Sequence, residues 1–347
     1  MTKANFTPIS QLGEFKLIDH LVNDVNINSK STKMGIGDDA AVIPYKKNEY
    51  YVISTDMLVE SVHFDPTYTP LKHLGYKAVV ANISDICAMN GIATHVLISL
   101  AIPNKYSVEH VKILYDGVKM ACKNYNIDFV GGDTTSSSSG LVISVSVVGK
   151  VISKNITYRN GAKPNDLLCV SGDLGAAYLG LQILEREKHI FNENKNTQPE
   201  LENYKYILER QLKPEARVDI IDSLNKNRVQ PSSMIDLSDG LSSDVMHICK
   251  ASNVGVRLFE NKIPLLDQTK ETATELNINP TICALHGGED YELLFTVPLS
   301  QRSQLELMRE VHIIGYVTPN PCKIELVNSL EESIDISSDG WDSFTKK

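Results

Sequence analysis

Apolar segments of strand length alternate with segments of helical periodicity along almost the whole chain, and this alternation restricts the fold to a mixed α/β architecture. Residues 11–22 carry apolar side chains at helical spacing and predict a short amphipathic helix. The rest of the first half predicts strands at 41–43, 50–54, 93–102, 127–130 and 141–152, and helices at 71–90 and 108–124.

The turn-rich segment 158–166 separates this half from a second one of similar type. We therefore predict two domains, residues 1–153 and 154–347. A polar stretch at 188–204 predicts a surface loop or a partly disordered segment. The second half predicts strands at 167–170, 233–237, 254–260, 292–297 and 311–317, and helices at 175–187, 215–226, 241–251, 268–276 and 300–310.

The charge balance excludes several classes of protein. The 34 Lys and Arg residues against 43 Asp and Glu residues give a formal net charge of −9, which argues against a nucleic acid or an anionic membrane surface as the main partner. The longest uncharged run, 86–104, is too polar to span a membrane. Six well-separated cysteines indicate reduced thiols, and the first residues resemble no export signal. We therefore expect a cytoplasmic protein in which metal cations mediate any contact with phosphate.

Acidic residues concentrate in short motifs at predicted element ends, where open α/β folds bind ligands. Asp38 and Asp39 lie in a glycine turn that enters an apolar strand, and the next strand is predicted to end on Ser54, Thr55 and Asp56. A hydroxyl beside a carboxylate suits Mg²⁺, which takes oxygen ligands. An ordinary turn in the first motif and a helix cap in the second are the structural alternatives.

Two further acids stand out in the first half. Asp85 interrupts a helix that otherwise reads as buried, with Asn82 on the same face. A carboxylate there is costly unless a cation or a metal pairs with it, and an ion pair with Arg or Lys is the alternative to a metal. Asp133 follows Gly131 and Gly132 at a predicted strand end, where backbone can approach a phosphate closely. A plain tight turn is the alternative.

The second half adds two acidic motifs. Asp236 and Ser238 share one face of a strand end, and Asp239 stands at the entrance to the next helix. Helix capping explains Ser238 or Asp239, but it does not explain Asp236. The segment 286–294, HGGEDYELL, places Glu289 and Asp290 after a glycine turn and before a strand, and a solvated turn is its alternative.

Familiar catalytic signatures are missing from the sequence. It contains no phosphate-binding P-loop, no dinucleotide fingerprint, no protein-kinase catalytic loop and no nucleophile elbow. Arg159 in the interdomain turn is the best-placed cation for a phosphate, since a guanidinium binds phosphate oxygens with a bidentate fork. The residues alone therefore indicate Mg²⁺-dependent phosphate chemistry.

Taken together, the motifs resemble those of the thiamine-monophosphate kinases, in the aminoimidazole-ribonucleotide-synthetase-like superfamily. The resemblance covers nearly the whole chain and rests on the strings GDDAAV, STDMLVESVHF, NISDICAMNG, GGDTT, YRNGAKPND, DLSDGL, GGEDYEL and GWDSF. It implies an amino-terminal sheet domain that dimerises, a carboxyl-terminal α/β domain, and phosphorylation of thiamine monophosphate by ATP to thiamine diphosphate.

The resemblance also implies roles for individual residues, and no catalytic group beyond the metal and phosphate ligands. Several Mg²⁺ ions would be held by Asp38, Ser54, Thr55, Asp56, Asp85, Asp133, Asp236 and Asp239. ATP would contact Tyr115, Gly132, Asp133, Arg159 and Ser238. Thiamine monophosphate would contact His63, Glu289 or Asp290, and Trp341 or Phe344. No role is assigned to Asp39, Asp65 or Tyr291.

Two rival functions remain at this stage. Aminoimidazole ribonucleotide synthetase shares the ATP chemistry but acts on a different substrate. The non-enzymatic alternative is a module that binds a nucleotide or a metal without turnover. The presence of every acidic motif argues against it.

Overall fold

The computed structural model describes residues 9–195 and 198–336, and two β-sheets divide them as the mixed α/β pattern predicts. The first sheet has the strand order β1-β2-β5-β3-β4, with β3 and β4 parallel and the other pairs antiparallel. The elements of this half are α1 (Gly13–Val22), β1 (Ala41–Lys46), β2 (Glu49–Val59), α2 (Leu71–Ala88), β3 (Ile92–Pro103), α3 (Val108–Tyr125), β4 (Asp128–Ser137) and β5 (Val142–Ile152).

The second sheet has seven strands in the order β12-β11-β8-β10-β6-β9-β7. Its strands are β6 (Leu167–Ser171), β7 (Ser233–Asp236), β8 (Gly255–Phe259), β9 (Leu293–Val297), β10 (Val311–Thr318), β11 (Ile324–Val327) and β12 (Ser333–Asp335). The helices of this half are α4 (Ala176–Glu193), α5 (Lys205–Leu212), α6 (Val218–Asn227), α7 (Leu241–Ser252), α8 (Asp267–Glu275), α9 (Pro280–His286) and α10 (Arg302–Leu305).

Helix α2 is buried on nearly every face because it packs against both sheets, contacting β2, β3 and β5 of the first and β7 of the second. Helix α3 approaches it closely at two glycines. A Cβ atom on Gly117 would lie 1.8 Å from the carbonyl oxygen of Lys72, and one on Gly75 would lie 2.0 Å from that of Leu114. The hydrophobic core around α2 also contains Phe295 of β9. The buried polar side chains of α2, such as Asn82 and Ser84, are therefore held between the two halves of the chain.

Two strands continue through motifs that were predicted to end them. Strand β2 does not stop at Asp56, because it pairs with β5 over all eleven residues from Glu49 to Val59. Strand β4 likewise runs through Gly132 and Asp133 to Ser137, since it stays paired with β3. Both acids therefore lie within strands rather than in loops after them, and their positions follow the sheet register.

Two helices differ most clearly in length from the predictions, and four elements were not predicted. The first residues of the expected 188–204 loop extend α4 to Glu193, since charged side chains suit its solvent face. The predicted helix 300–310 shrinks to α10, because the amides of Leu307 and Met308 bond three residues back and tighten the chain into turns. Helices α5 and α9 and strands β11 and β12 were not predicted. Within the described residues, no helix combines the length and the apolar character needed to cross a bilayer.

Candidate active site

Three carboxylates from distant parts of the chain meet beside α2. Asp39 lies in the loop before β1, Asp85 lies near the end of α2, and Asp236 is the last residue of β7. One carboxylate oxygen of each lies within 4.8 Å of the others. We call these three residues the carboxylate centre. Negative charges so close together in a protein interior repel one another, and they need cationic compensation.

Serine hydroxyls orient two members of the carboxylate centre. Ser54 of β2 donates a hydrogen bond to Asp85. Ser84 of α2 donates from Oγ to the carboxylate of Asp236 at 2.6 Å. The second contact joins the first half of the chain to the second, so the carboxylate centre exists only when both halves are packed together.

One arginine compensates part of the negative charge. Arg159 donates from Nε at 3.1 Å and from Nη2 at 2.5 Å to Oδ1 of Asp39. The backbone N–H of the same arginine donates to the carboxylate of Asp38 at 3.2 Å. The other oxygen of Asp39, Oδ2, is buried and receives no hydrogen bond from any described residue. Asp39 therefore keeps one buried oxygen without a hydrogen bond, in the group of carboxylates that includes Asp85 and Asp236.

The pKa values show the same lack of compensation. Burial first, and then the charge of Asp39, raise the pKa of Asp236 to about 7. The same two causes raise the pKa of Asp38 to about 7 and that of Asp56 to about 6. The pKa of Asp85 is raised well above its ordinary value by burial, then by Asp56 and by Asp236. Oxygen ligands of high charge density that lack protein cations fit a hard divalent cation such as Mg²⁺.

These shifts predict how stability depends on pH. An unfolded Asp releases its proton near the ordinary value of 3.8, whereas folded Asp38 and Asp236 keep theirs to about 7. The folded state therefore binds more protons in this interval, and the free energy of unfolding of the metal-free protein should fall as pH rises through it. Mg²⁺ binds the ionised form and should restore the loss.

The measurement is a thermal melt with and without Mg²⁺. We expect Mg²⁺ to raise Tm more at about pH 7.5 than at about pH 5.5, because fewer protons compete for the carboxylates at the higher pH. An equal rise at both pH values, or none at either, would contradict a metal site built from these groups.

Strand β2 carries two further predicted ligands, Asp56 and Thr55, whose side chains lie on opposite faces of the sheet. Asp56 shares a face of β2 with Ser54, since side chains alternate along a strand, and its backbone N–H donates to Oδ1 of Asn82 at 3.0 Å. Thr55 lies on the opposite face of the same strand, where its hydroxyl donates to the carbonyl of Val145 at 3.0 Å. Its side chain does not meet those of Ser54 and Asp56.

The loop after β7 carries the remaining acids of that motif. The backbone N–H of Asp239 donates to the buried carboxylate of Asp244 at 3.3 Å. Gly240, rather than Ser238 or Asp239, occupies the capping position before α7, and a glycine has no side chain with which to cap the helix. The structural alternative that placed Ser238 or Asp239 at the capping position of α7 is therefore wrong.

Three predicted nucleotide residues lie on β4 or against it, three strands away from Asp56 in the first sheet. In the sheet register Asp56 is level with Val145, Ile98 and Gly132 on successive strands. Three strand spacings separate Asp56 from Gly132, or about 14 Å. The exposed Asp133 follows on β4, the edge strand of the sheet. Tyr115 of α3 packs edge-on against Phe129 of β4, with ring centroids 5.8 Å apart. Within one chain the predicted residues therefore form two groups, one near the carboxylate centre and one on or beside β4.

The substrate-side residues adjoin a small cavity. His63 lines it, and its Nδ1 accepts a hydrogen bond from the backbone N–H of Val59 at 3.0 Å. Burial lowers the pKa of His63, which favours the neutral ring. Glu289 has a left-handed backbone with φ of 66°, and its carboxylate accepts from Lys77 at 2.8 Å and from Gln211 at 2.7 Å.

Asp290 has a different environment from its neighbour. Its buried carboxylate accepts from the backbone N–H groups of Gly175 at 2.7 Å and Ala177 at 3.4 Å, at the start of α4. Burial raises its pKa to about 7. These contacts give Asp290 a capping role at a helix end. Trp341 and Phe344 lie outside the described residues.

The sequence left several residues of this region without a role. Asp39 is adjacent to Asp38, and no local pattern distinguishes which of two neighbouring acids points inward. Ser84 stands beside Asp85, and the charge of Lys77 within an apolar helix was a visible signal. Gln211 carried no signal, since α5 itself was not predicted.

Comparisons with known proteins show which family the chain resembles. Residues 37–151 match the domain family described as AIR synthase related protein, N-terminal domain. The chain is 33% identical to the thiamine-monophosphate kinase of Bacillus subtilis over 343 residues, covering 96% of this chain and all of the relative. It is 36% identical to the thiamine-monophosphate kinase of Aquifex aeolicus over 304 residues, covering 87% and 92% of the two chains.

Solved structures agree with the sequence relatives. The structure of AaThiL complexed with AMPPCP and TMP superposes with a TM-score of 0.82 at 32% identity, covering 98% of this chain and 99% of that one. A hydrogenase maturation protein, HypE, shares the fold alone, with a TM-score of 0.67 at 15% identity and coverage of 96% and 97%. The resemblance seen in the motifs is confirmed, and the chain belongs to the thiamine-monophosphate kinase family.

Proposed function

We propose that this protein transfers the γ-phosphoryl group of ATP to thiamine monophosphate, giving thiamine diphosphate and ADP. The observation that carries the proposal is the carboxylate centre of Asp39, Asp85 and Asp236, whose oxygens lie within 4.8 Å of one another with one guanidinium as partner. A protein of net charge −9 needs such a cation site to bring two anionic phosphates together.

Mg²⁺ is the cation that we propose for this site. Its ligands would come from the carboxylate centre together with Asp38, Asp56 and Asp239, and the hydroxyl of Ser54 lies within the same group. Bound there, Mg²⁺ would neutralise phosphate charge during transfer. Arg159 keeps Asp39 in place and adds a positive charge of its own beside the phosphates.

For this phosphoryl transfer the protein has mainly to position the two substrates. The attacking group is a phosphate oxygen of thiamine monophosphate, which is already anionic near neutral pH, so no general base has to activate it. We propose direct in-line transfer without a phosphoenzyme. His63 is neutral, and its Nδ1 accepts the backbone N–H of Val59, so its proton is on Nε2. From Nε2 it can donate a hydrogen bond to a substrate oxygen.

On the substrate side we propose Glu289 rather than Asp290 as the carboxylate near the thiazolium, because Asp290 is committed to the end of α4. Trp341 or Phe344 remains the proposed aromatic contact. A cytoplasmic location is part of the same proposal, and five of the six cysteines are buried free thiols, as expected in a reducing compartment.

The direct test is mass detection of thiamine diphosphate after incubation with Mg²⁺, ATP and thiamine monophosphate. ATP consumption that requires thiamine monophosphate supports the kinase. Consumption that requires an aminoimidazole ribonucleotide precursor instead would support the rival synthetase, and nucleotide binding without turnover would support a binding module.

We further propose a homodimer that completes each active site. Gly132 and Asp133 on β4 lie three strand spacings, or about 14 Å, from Asp56 on β2, too far for the two acids to hold the same cation within one chain. The first sheet exposes the apolar side chains Met57 and Val130, which suits burial against a second copy. Association through this sheet would place β4 of one copy near β2 of the other.

Mixing two inactive variants tests this dimer. Asp56→Asn and Asp133→Asn should each lose most activity, yet after subunit exchange an equal mixture should regain about a quarter of wild-type activity, since half of the dimers then contain one intact site. Light scattering should give twice the chain mass of 38.5 kDa. No gain on mixing would show that both acids act within one chain.

A further inference from the structure

The loop between β2 and α2 carries His63 and is anchored at its start in the first half of the chain. We call residues 60–69 the His63 loop. The carboxylate of Glu60 accepts hydrogen bonds from the backbone N–H of Leu141 at 2.8 Å and from the hydroxyl of Tyr106 at 3.3 Å. The same carboxylate pairs with Lys105. These contacts hold the segment before His63 to the chain that flanks β3 and β5.

Helix α4 of the second half holds the other end of the His63 loop. Oδ2 of Asp65 accepts a hydrogen bond from Nζ of Lys188 at 2.8 Å. The hydroxyl of Tyr68 donates to Oε1 of Glu185 at 2.5 Å. Lys188 also donates to Oε2 of Glu185 at 3.4 Å, and its ammonium group lies 5.5 Å from the centroid of the Tyr68 ring. These four residues form a closed set of contacts, which we call the α4 network.

Asp65, to which the sequence assigned no role, also organises the backbone of the loop. Its Oδ1 accepts from the backbone N–H of Thr67 at 2.7 Å. Its backbone carbonyl accepts from the N–H groups of Tyr68 at 3.3 Å and Thr69 at 2.9 Å. One residue therefore closes the turn that follows His63 and also carries the contact with Lys188, so the position of α4 is transmitted to the backbone two residues after His63.

Partial exposure makes the α4 network a weak contributor to the stability of the fold. The side chains of Lys188 and Asp65 are 31% and 23% accessible, and water and salt screen ion pairs of this kind. Packing around α2 holds the two halves together without the network. Because Phe64 is buried beside His63, loss of the network should shift the loop by a small distance and leave the protein folded.

We propose that Asp65 and Lys188 are positioning residues for the phosphorylation reaction, because their ion pair sets the position of His63 relative to the second half of the chain. This inference rests on the proposed function, in which His63 donates a hydrogen bond to a substrate oxygen. The contact with Val59 sets the orientation of the imidazole ring. The α4 network sets how far that ring lies from Glu289, the substrate-side carboxylate of the second half.

Titration calorimetry with thiamine monophosphate tests the proposal. Lys188→Met removes the charge and keeps an unbranched side chain, and we expect it to raise Kd about 3- to 10-fold, since a displaced loop makes a weaker substrate contact. Kd for ATP with Mg²⁺ and Tm should keep their wild-type values. Lys188→Arg retains the ion pair and should restore most of the binding. Lys270→Met breaks an ion pair with Asp267 within α8, and as the matched control it should change none of these values.

A double variant shows whether Lys188 acts through His63. In a His63→Ala background no donor is left to position, so the addition of Lys188→Met should change Kd by less than about twofold. A further rise of about 3- to 10-fold in that background would show that the α4 network acts on substrate by another route, and it would overturn the proposal.

Asp65→Asn removes the charge of the same ion pair from the loop side and should raise Kd by a similar factor. If Lys188→Met does not fold, Asp65→Asn decides the question. A wild-type Kd for thiamine monophosphate in either folded variant would overturn the proposal. A wild-type protein that forms no thiamine diphosphate would instead refute the proposed function.

Discussion

Replacing Asp85 with asparagine is expected to lower kcat about 10²- to 10³-fold, the usual loss when one preorganised charge contact is removed from an active site. Asp85 projects from a helix that both halves of the chain hold in place, so the asparagine should occupy the same position without its charge. The variant should also lose much of the Mg²⁺-dependent rise in Tm. Initial rates at saturating Mg²⁺ and ATP, together with thermal melts, measure both effects.

The stability of the metal-free variant separates catalysis from folding. Burial and neighbouring charges raise the pKa of Asp85, so its ionised form destabilises the fold near neutral pH. Asp85→Asn should therefore melt at the wild-type temperature or higher without Mg²⁺. Asp267→Asn, on the exposed surface of α8 with 88% of its side chain accessible, is the control and should change neither property. Wild-type kcat in Asp85→Asn would remove this residue from the site.

Replacing Glu292 with alanine is expected to lower the free energy of unfolding by about 3–5 kcal/mol, because it removes the buried carboxylate that Arg210 and Arg217 share. Only 1% of the Glu292 side chain is accessible. It accepts from Arg210 at 3.0 Å, from Arg217 at 2.5 Å and from Ser171 at 2.5 Å. The loss should appear in urea titration as a lower midpoint with an unchanged slope.

Glu306→Ala provides the matched comparison for that experiment. Glu306 pairs with Arg302 at 3.1 Å on the surface, and 61% of its side chain is accessible. Exposed pairs of this kind contribute about 0–1 kcal/mol. A loss below about 1 kcal/mol in Glu292→Ala as well would show that water solvates the arginines when the carboxylate is removed, and that the ion pairs do not hold the Glu289–Glu292 turn in place.

The sequence alone determined the fold class and the chemical character of the site. Periodicities of two and of 3.6 residues are local properties, so they predicted the α/β alternation and the long buried helix around Asp85. Carboxylates among glycine and hydroxyl residues indicated a hard cation and phosphate, because few other ligands suit such groups. The motif strings together then identified the family.

Only the tertiary structure decided which of these residues meet. Strands β2 and β4 continue through Asp56 and Asp133 because their neighbours pair with them, and the sheet register places these two acids at nearly the same level but about 14 Å apart across the strands. Asp39 joins the carboxylate centre, and Asp290 turns instead to the start of α4. Long-range packing sets these positions, since contacts between residues distant in the chain leave no periodic trace in its sequence.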